Sequence, residues 1–165
     1  MPTILCYSRI RSTNVVQIDA QTLISTCHLH DSLKDAWVRI HVRLPELEIL
    51  SADGKFNRSY QNDCLHIDAA LEKMKGVRIG AGIKKIIRGL TGEISSCREL
   101  PVLIEECCHN VILSFTKEAL KDAPKKDKQS REYFKEMLKK NIRLYNSCAV
   151  FSPGSPLVEG IEPPK

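Results

Sequence analysis

The chain has 165 residues, of which 42% are hydrophobic, 27% charged and only 5% aromatic. That is the make-up of one globular domain with its own core, and it excludes a collagen, a low-complexity segment and a coiled coil. Twenty-five Lys and Arg against 20 Asp and Glu leave a net charge of +5, which bears on nucleic acid only if the cations share one face.

The first third reads as strands. Residues 36–43 alternate strictly, with Val38, Ile40 and Val42 on one side and Trp37, Arg39, His41 and Arg43 on the other. This is the period of a half-buried antiparallel strand. Weaker strands are expected at 4–10, 15–19 and 23–29, separated by turn-like clusters at 11–14 and 19–22. A fifth short strand at 46–50 is expected to end at Asp53-Gly54, a strong turn dipeptide.

The remainder reads as helices. Ile67, Ala70, Leu71 and Met74 make one apolar stripe ending at Gly76, and Ile83, Ile86, Ile87 and Leu90 a second ending at Gly92. The longest helix is expected to run from Pro101 to Leu120, burying Ile104, Cys107, Cys108, Val111, Ile112, Phe115 and Ala119. A polar connection at 122–130 leads to a last amphipathic helix with Phe134, Met137, Leu138, Ile142 and Tyr145 inward. Strands followed by helices predict an α+β fold, an N-terminal antiparallel β-meander packed against a C-terminal set of about four helices. One domain is expected over 1–152, followed by an irregular Pro-rich tail over 153–165.

Four segments of this pattern resemble a bacterial family, the domain of unknown function family 2889. Lys34-Asp35-Ala36-Trp37-Val38-Arg39-Ile40 is similar to its HDMWLRL strand. Cys64, then Leu71, then Gly76-Val77-Arg78-Ile79-Gly80-Ala81-Gly82 is similar to its C…L…GLRIGPG stretch. Residues 92–100, containing Cys97, Arg98 and Glu99, resemble its GG-x-x-GCTHL segment, and Asn146-Ser147-Cys148 resembles its closing NTC. The resemblance covers roughly residues 15–158. Lys34 and Glu99 depart from it, each standing where the family often has His. It implies a fold and no activity.

No uncharged run reaches the roughly 20 residues of a spanning helix, and the first residues lack the basic start and apolar run of a signal peptide. A cytoplasmic chain is therefore expected, with its seven cysteines reduced. Cys64, Cys97 and Cys148 each sit at a helix junction. With His66 or Glu99 they would form a tetrahedral set for zinc or iron, although no C-x-x-C pair is present. Cys97, near a helix start beside Arg98, has the setting of an activated thiol but no histidine at a telling spacing. Ser96 and Glu99 fit a capping box instead.

Cys107 and Cys108 belong on the core stripe, with His109 facing solvent. On a strand His28 and His30 share one face and Cys27 takes the other. Gly80 and Gly82 ahead of Lys84 and Lys85 resemble an anion cradle, or else a tight turn that needs glycine. Trp37, Arg39, His41 and Arg43 make a basic face with a single aromatic.

Between Lys121 and Arg143 nine Lys and Arg face four Asp and Glu, while the rest of the chain balances at 16 against 16. The excess charge belongs to one loop and one helix, so nucleic acid is not the expected partner; an acidic partner would engage this stretch. No paired carboxylates lie beside a histidine, and no catalytic residue is assigned. The reading is a binding module for a metal or small anion. Its alternatives are an accessory protein that docks through the exposed strand face or the last helix, and a thiol- or metal-dependent enzyme.

Overall fold

The computed structural model describes residues 3–59, 64, 67–92, 97–121, 130–146 and 148–163. Two compact units form, Met1–Ser114 and Phe115–Lys165. The first begins with four strands, β1 (Arg9–Asp19), β2 (Thr22–Asp31), β3 (Asp35–Arg43) and β4 (Glu48–Arg58). They pair antiparallel in the order β1-β2-β3-β4. Three helices follow, α1 (Asp68–Glu72), α2 (Ile83–Gly92) and α3 (Glu99–Lys121), the last crossing into the second unit. With α4 (Arg131–Lys140) this is the expected α+β arrangement of a meander followed by four helices.

Alternation decides the sheet's two faces. Leu23, Cys27 and Leu29 of β2, Ala36, Val38, Ile40 and Val42 of β3, and Ile49 and Phe56 of β4 are all buried. The middle of α3 lies on this inner face: Ser25 Oγ donates to the Cys107 carbonyl at 2.9 Å, and Cys107 Sγ donates to the Val38 carbonyl at 3.4 Å. Leu100, Leu103, Ile104, Cys107, Cys108 and Val111 supply the helix side of that core. Pro101 lies in the first turn of α3, where a missing N–H costs nothing.

The strand boundaries differ from the expectation in three places. Residues 11–14 do not turn; they run straight through β1, paired from Arg11↔Leu29 to Asn14↔Thr26. The strand expected at 15–19 is thus extended back to Arg9, because cross-strand pairing outweighs the low strand preference of Ser12 and Asn14, while residues 4–8 of the strand expected at 4–10 are not in a strand. Asp53-Gly54 likewise does not turn but continues β4, with Asp53 opposite Arg39 and Gly54 opposite Val38. A side chain on Gly54 would put its Cβ 2.7 Å from the Trp37 carbonyl oxygen. The glycine is there for close approach of two backbones, not for a turn.

The edge of β4 is guarded at its start. The 76–79 segment lies beside it, with Ile49 N–H donating to the Val77 carbonyl, Gly76 N–H to the Ile49 carbonyl, and Ile79 N–H to the Leu47 carbonyl, all at 2.8–2.9 Å. β1, the opposite edge, carries no such cover among the described residues.

In the second unit Ser130 caps α4, its side chain accepting from Tyr133 N–H. Leu138, Phe151 and Val158 are buried together, with Phe134, Met137, Leu144, Tyr145, Leu157 and Ile161 packed around them. The apolar face read from the sequence is thus inward here, and it is closed by residues of the Pro-rich tail. Within the basic stretch Lys121–Arg143, the loop at 122–129 lies outside the described residues. No described helix is long and apolar enough to cross a membrane.

Candidate functional site

Cys64 and Cys97 do come together, but as a disulfide, with Cα atoms 4.8 Å apart. This corrects the expectation that every thiol is reduced. It ties the residues just before α1 to those just before α3, and both sulfurs are buried. While the bond stands, neither sulfur is a thiolate for a metal or a nucleophile. Cys148 is exposed and belongs to the second unit. His66 and Ser96 lie outside the described residues. Among the described residues no group of three or more His, Cys, Asp and Glu is placed to hold a metal ion.

Glu99, the fourth member of that expected set, is engaged elsewhere. Its Oε1 lies 3.1 Å from Lys34 Nζ and 3.3 Å from Arg9 Nη2. Lys34 and Glu99 are the two positions at which the chain departs from the motifs quoted above, and they form one ion pair.

Arg9 links this pair to Asp31, which the sequence reading passed over. Asp31 closes β2 and is buried. Its Oδ1 accepts the N–H groups of Leu33 (2.8 Å) and Lys34 (2.6 Å), and its Oδ2 accepts from Arg9 Nε (2.9 Å) and the Tyr7 hydroxyl (3.2 Å). Arg58 closes the group by donating to the Asp31 carbonyl at 2.6 Å. Burial pushes the Asp31 carboxyl upward, but these four donors outweigh it and hold it at about 2. The signal available in sequence was an Asp followed by Ser32-Leu33-Lys34, an Asx-turn pattern. Every lone pair of this carboxylate is used. The cluster is a clasp fastening the β2–β3 turn, β1 and the start of α3, with no open position for a substrate.

Cys27, Cys107 and Cys108 lie in the core. Burial pushes the thiols of Cys27 and Cys108 up to about 11 and about 12, and that of Cys107 upward as well. They are packing groups and not nucleophiles. His109 is exposed, as are His28 and His30 on the face opposite Cys27.

Gly80, Gly82, Lys84 and Lys85 form the turn into α2. Gly82 has φ +80°, a left-handed backbone that favours glycine. The turn's own carbonyls take the nearby amides: Ile83 N–H donates to Gly80, and Lys85 N–H to Gly82. Lys84 and Lys85 project into solvent. This is the geometry of a tight turn between helices.

What is left open is the outer face of the sheet. The register places Ser12, His28, Trp37 and Lys55 in one row across it, Asn14, Thr26, Arg39 and Asp53 in the next, and Val16, Ile24, His41 and Ser51 in a third. None of these side chains is buried. Arg39 is bidentate to Asp53 (3.1 and 2.7 Å), and its guanidinium lies 5.4 Å from the centre of the Trp37 ring. The salt bridge and the cation–π contact hold Arg39 between Asp53 and Trp37, the single aromatic of these rows.

A family model described as a protein of unknown function, DUF2889, matches residues 9–112. The match spans most of the first unit and stops before Asn146-Ser147-Cys148. No curated protein and no solved structure matches the chain.

Proposed function

The chain belongs to the DUF2889 family, and within that family we propose that it is an interaction module whose outer sheet face docks a protein partner. The observation that carries this reading is Trp37, the chain's single Trp, on a solvent-facing row and stacked with Arg39. Trp and Arg are the residue types that dominate binding energy at protein interfaces when held rigid. Val16 and Ile24 add apolar surface beside them, and the Arg39–Asp53 pair keeps the centre nearly neutral. The saturated clasp and the inert core thiols support no chemistry elsewhere in the first unit.

Site-specific photo-crosslinking in cells tests the reading. A photoreactive side chain at Lys55, on this face, is expected to give a discrete protein adduct that falls at least about tenfold in a Trp37→Ala background, since one such anchor is worth ~2 kcal/mol or more. The same group at Lys84, on the turn into α2, gives none. Adducts at Lys55 that ignore Trp37→Ala would refute the face.

A metal or thiol reading keeps one supporting observation, the meeting of Cys64 and Cys97 two residues from Glu99. It requires the disulfide to be reduced. Zinc or iron retained stoichiometrically by the reduced protein, and lost in Cys97→Ser, would favour it.

A further inference from the structure

The even balance of charge outside Lys121–Arg143 hides a segregated stretch. Met1–Ser114 carries 14 Lys and Arg against 13 Asp and Glu, yet residues 73–88 hold six of those cations and no acid. Lys73, Lys75, Arg78, Lys84, Lys85 and Arg88 are all exposed. Elsewhere in this unit Arg9, Arg11, Lys34, Arg39 and Arg43 each sit in an ion pair. Of the six, Arg88 reaches Glu105 at 3.1 Å. Among the described residues the other five meet no acid.

The stretch is short and turns twice, at Gly76 and Gly82, both with left-handed backbone (φ +83° and +80°). Between the turns Arg78 is bridged to Glu48 at the edge of β4. Glu48 does not neutralise it, because Arg43 holds that carboxylate at 2.6 Å. Lys84, Lys85 and Arg88 follow on α2, which turns Ile87 and Thr91 inward and leaves the cations on its outer side. Ile86 stands among them, 43% exposed. A surface with this surplus calls for an anionic partner, and its composition selects one. No Phe, Tyr or Trp occurs between residues 61 and 114, so the stretch offers no platform on which bases stack. Four of the six cations are Lys, compact charges suited to many phosphates rather than the planar fork that reads one carboxylate or phosphate. An apolar side chain beside Lys85 suits a headgroup layer, where charge attraction and shallow apolar burial add.

We propose that the 73–88 surface docks on an anionic lipid bilayer, with its lysines at the level of the lipid phosphates and Ile86 dipping between headgroups. The contact is peripheral and reversible, since it rests on side chains of a folded surface and one exposed Ile. It uses no residue of the Trp37 rows, so both faces serve independently.

Co-sedimentation of the full chain with vesicles, without reductant, reads the outcome. The wild type is expected to bind vesicles of phosphatidylglycerol and phosphatidylcholine in equal amounts, to leave them as salt rises, and to ignore phosphatidylcholine alone. Lys84→Glu with Lys85→Glu weakens binding at least about tenfold, since two cations at an anionic surface are reversed. Ile86→Gln weakens it as well with every charge kept. The same two reversals at Lys125 and Lys126, in the chain's other basic stretch, leave it near the wild-type value. Trp37→Ala does too, which separates this contact from the docking face. Circular dichroism confirms that each variant keeps its fold. A wild type that ignores the mixed vesicles overturns the proposal. So do equal losses from the two pairs of reversals, or an Ile86→Gln variant that binds as the wild type does. A single-stranded oligonucleotide that holds the chain more tightly than the vesicles at the same salt gives the surface to nucleic acid and overturns it too.

Discussion

The Cys64–Cys97 bond closes a loop of 33 residues, and that number sets what its loss must cost. Closing a loop of this length removes about 12 cal/mol/K of chain entropy from the unfolded state, or roughly 3.7 kcal/mol at 25 °C. Both sulfurs are buried, so the perturbation should not leave a polar group behind; the double substitution Cys64→Ala and Cys97→Ala meets that condition. Urea unfolding of the oxidised wild type and of the double variant should differ by about 3–4 kcal/mol, with the wild type more stable. Cys148→Ser, which changes an exposed thiol in the other unit, should leave the midpoint where it was.

Thiol counting checks the premise independently. Native protein should show two fast-reacting thiols, Cys6 and Cys148, because Cys27, Cys107 and Cys108 are buried and their thiols are pushed up. Denatured protein without reductant should show five, and reduced protein all seven. Seven thiols in the unreduced, denatured protein would refute the bond. A double variant as stable as the wild type would refute the reasoning about what the bond does.

The Asp31 carboxyl is held at about 2 against an ordinary 3.8. Its contribution, about 2 kcal/mol, is therefore fully present above pH 4 and lost as pH falls toward 2. Asp31→Asn should lower stability at neutral pH and flatten the acid limb of a stability–pH profile over that window; an unchanged limb would mean that the clasp carries no weight. Gly54→Ala forces a Cβ against the Trp37 backbone carbonyl and should cost ~1–3 kcal/mol by overpacking, read as a fall in melting temperature. An Ala variant as stable as wild type would restore the turn interpretation of Asp53-Gly54.

What could be read from the sequence was whatever a period reveals. Strict alternation over 36–43 located β3 and its two faces. The stripes at Ile83–Leu90 and Ile104–Phe115 located α2 and α3. Local turn chemistry misled where pairing competed with it. Ser12 and Asn14 are weak strand formers, yet both are paired throughout by β2. Asp53-Gly54 is a strong turn dipeptide, yet in place it serves the spacing between β3 and β4. In each case a long-range partner outweighed a local preference, and no window of sequence contains that partner.

The clasp and the bridge were hidden for the same reason. Arg9, Asp31, Lys34 and Glu99 are spread over 90 positions, and Cys64 and Cys97 over 33. Their order in the chain says nothing of their meeting. The resemblance fared better over three of its four segments, because these meet in the first unit: the 34–40 strand, Cys64 with the 76–82 turn, and the 97–100 helix start; Asn146-Ser147-Cys148 lies outside the family match. Each of the three has work in the scaffold. Cys64 and Cys97 make the bridge and the 76–79 backbone covers the edge of β4, while the two departures from the motifs, Lys34 and Glu99, close the clasp together. Residues recognisable for that reason identify a fold and are silent on activity.

Trp37 is the exception among them. It lies in the most recognisable segment yet contributes nothing to the inner core; its neighbours along β3, Ala36 and Val38, do that. An aromatic of this size kept on the solvent side leaves apolar area in water, at roughly 25 cal/mol for every Å², and the fold recovers part of it only through Arg39. A scaffold alone has no need of it there. The proposed docking face has.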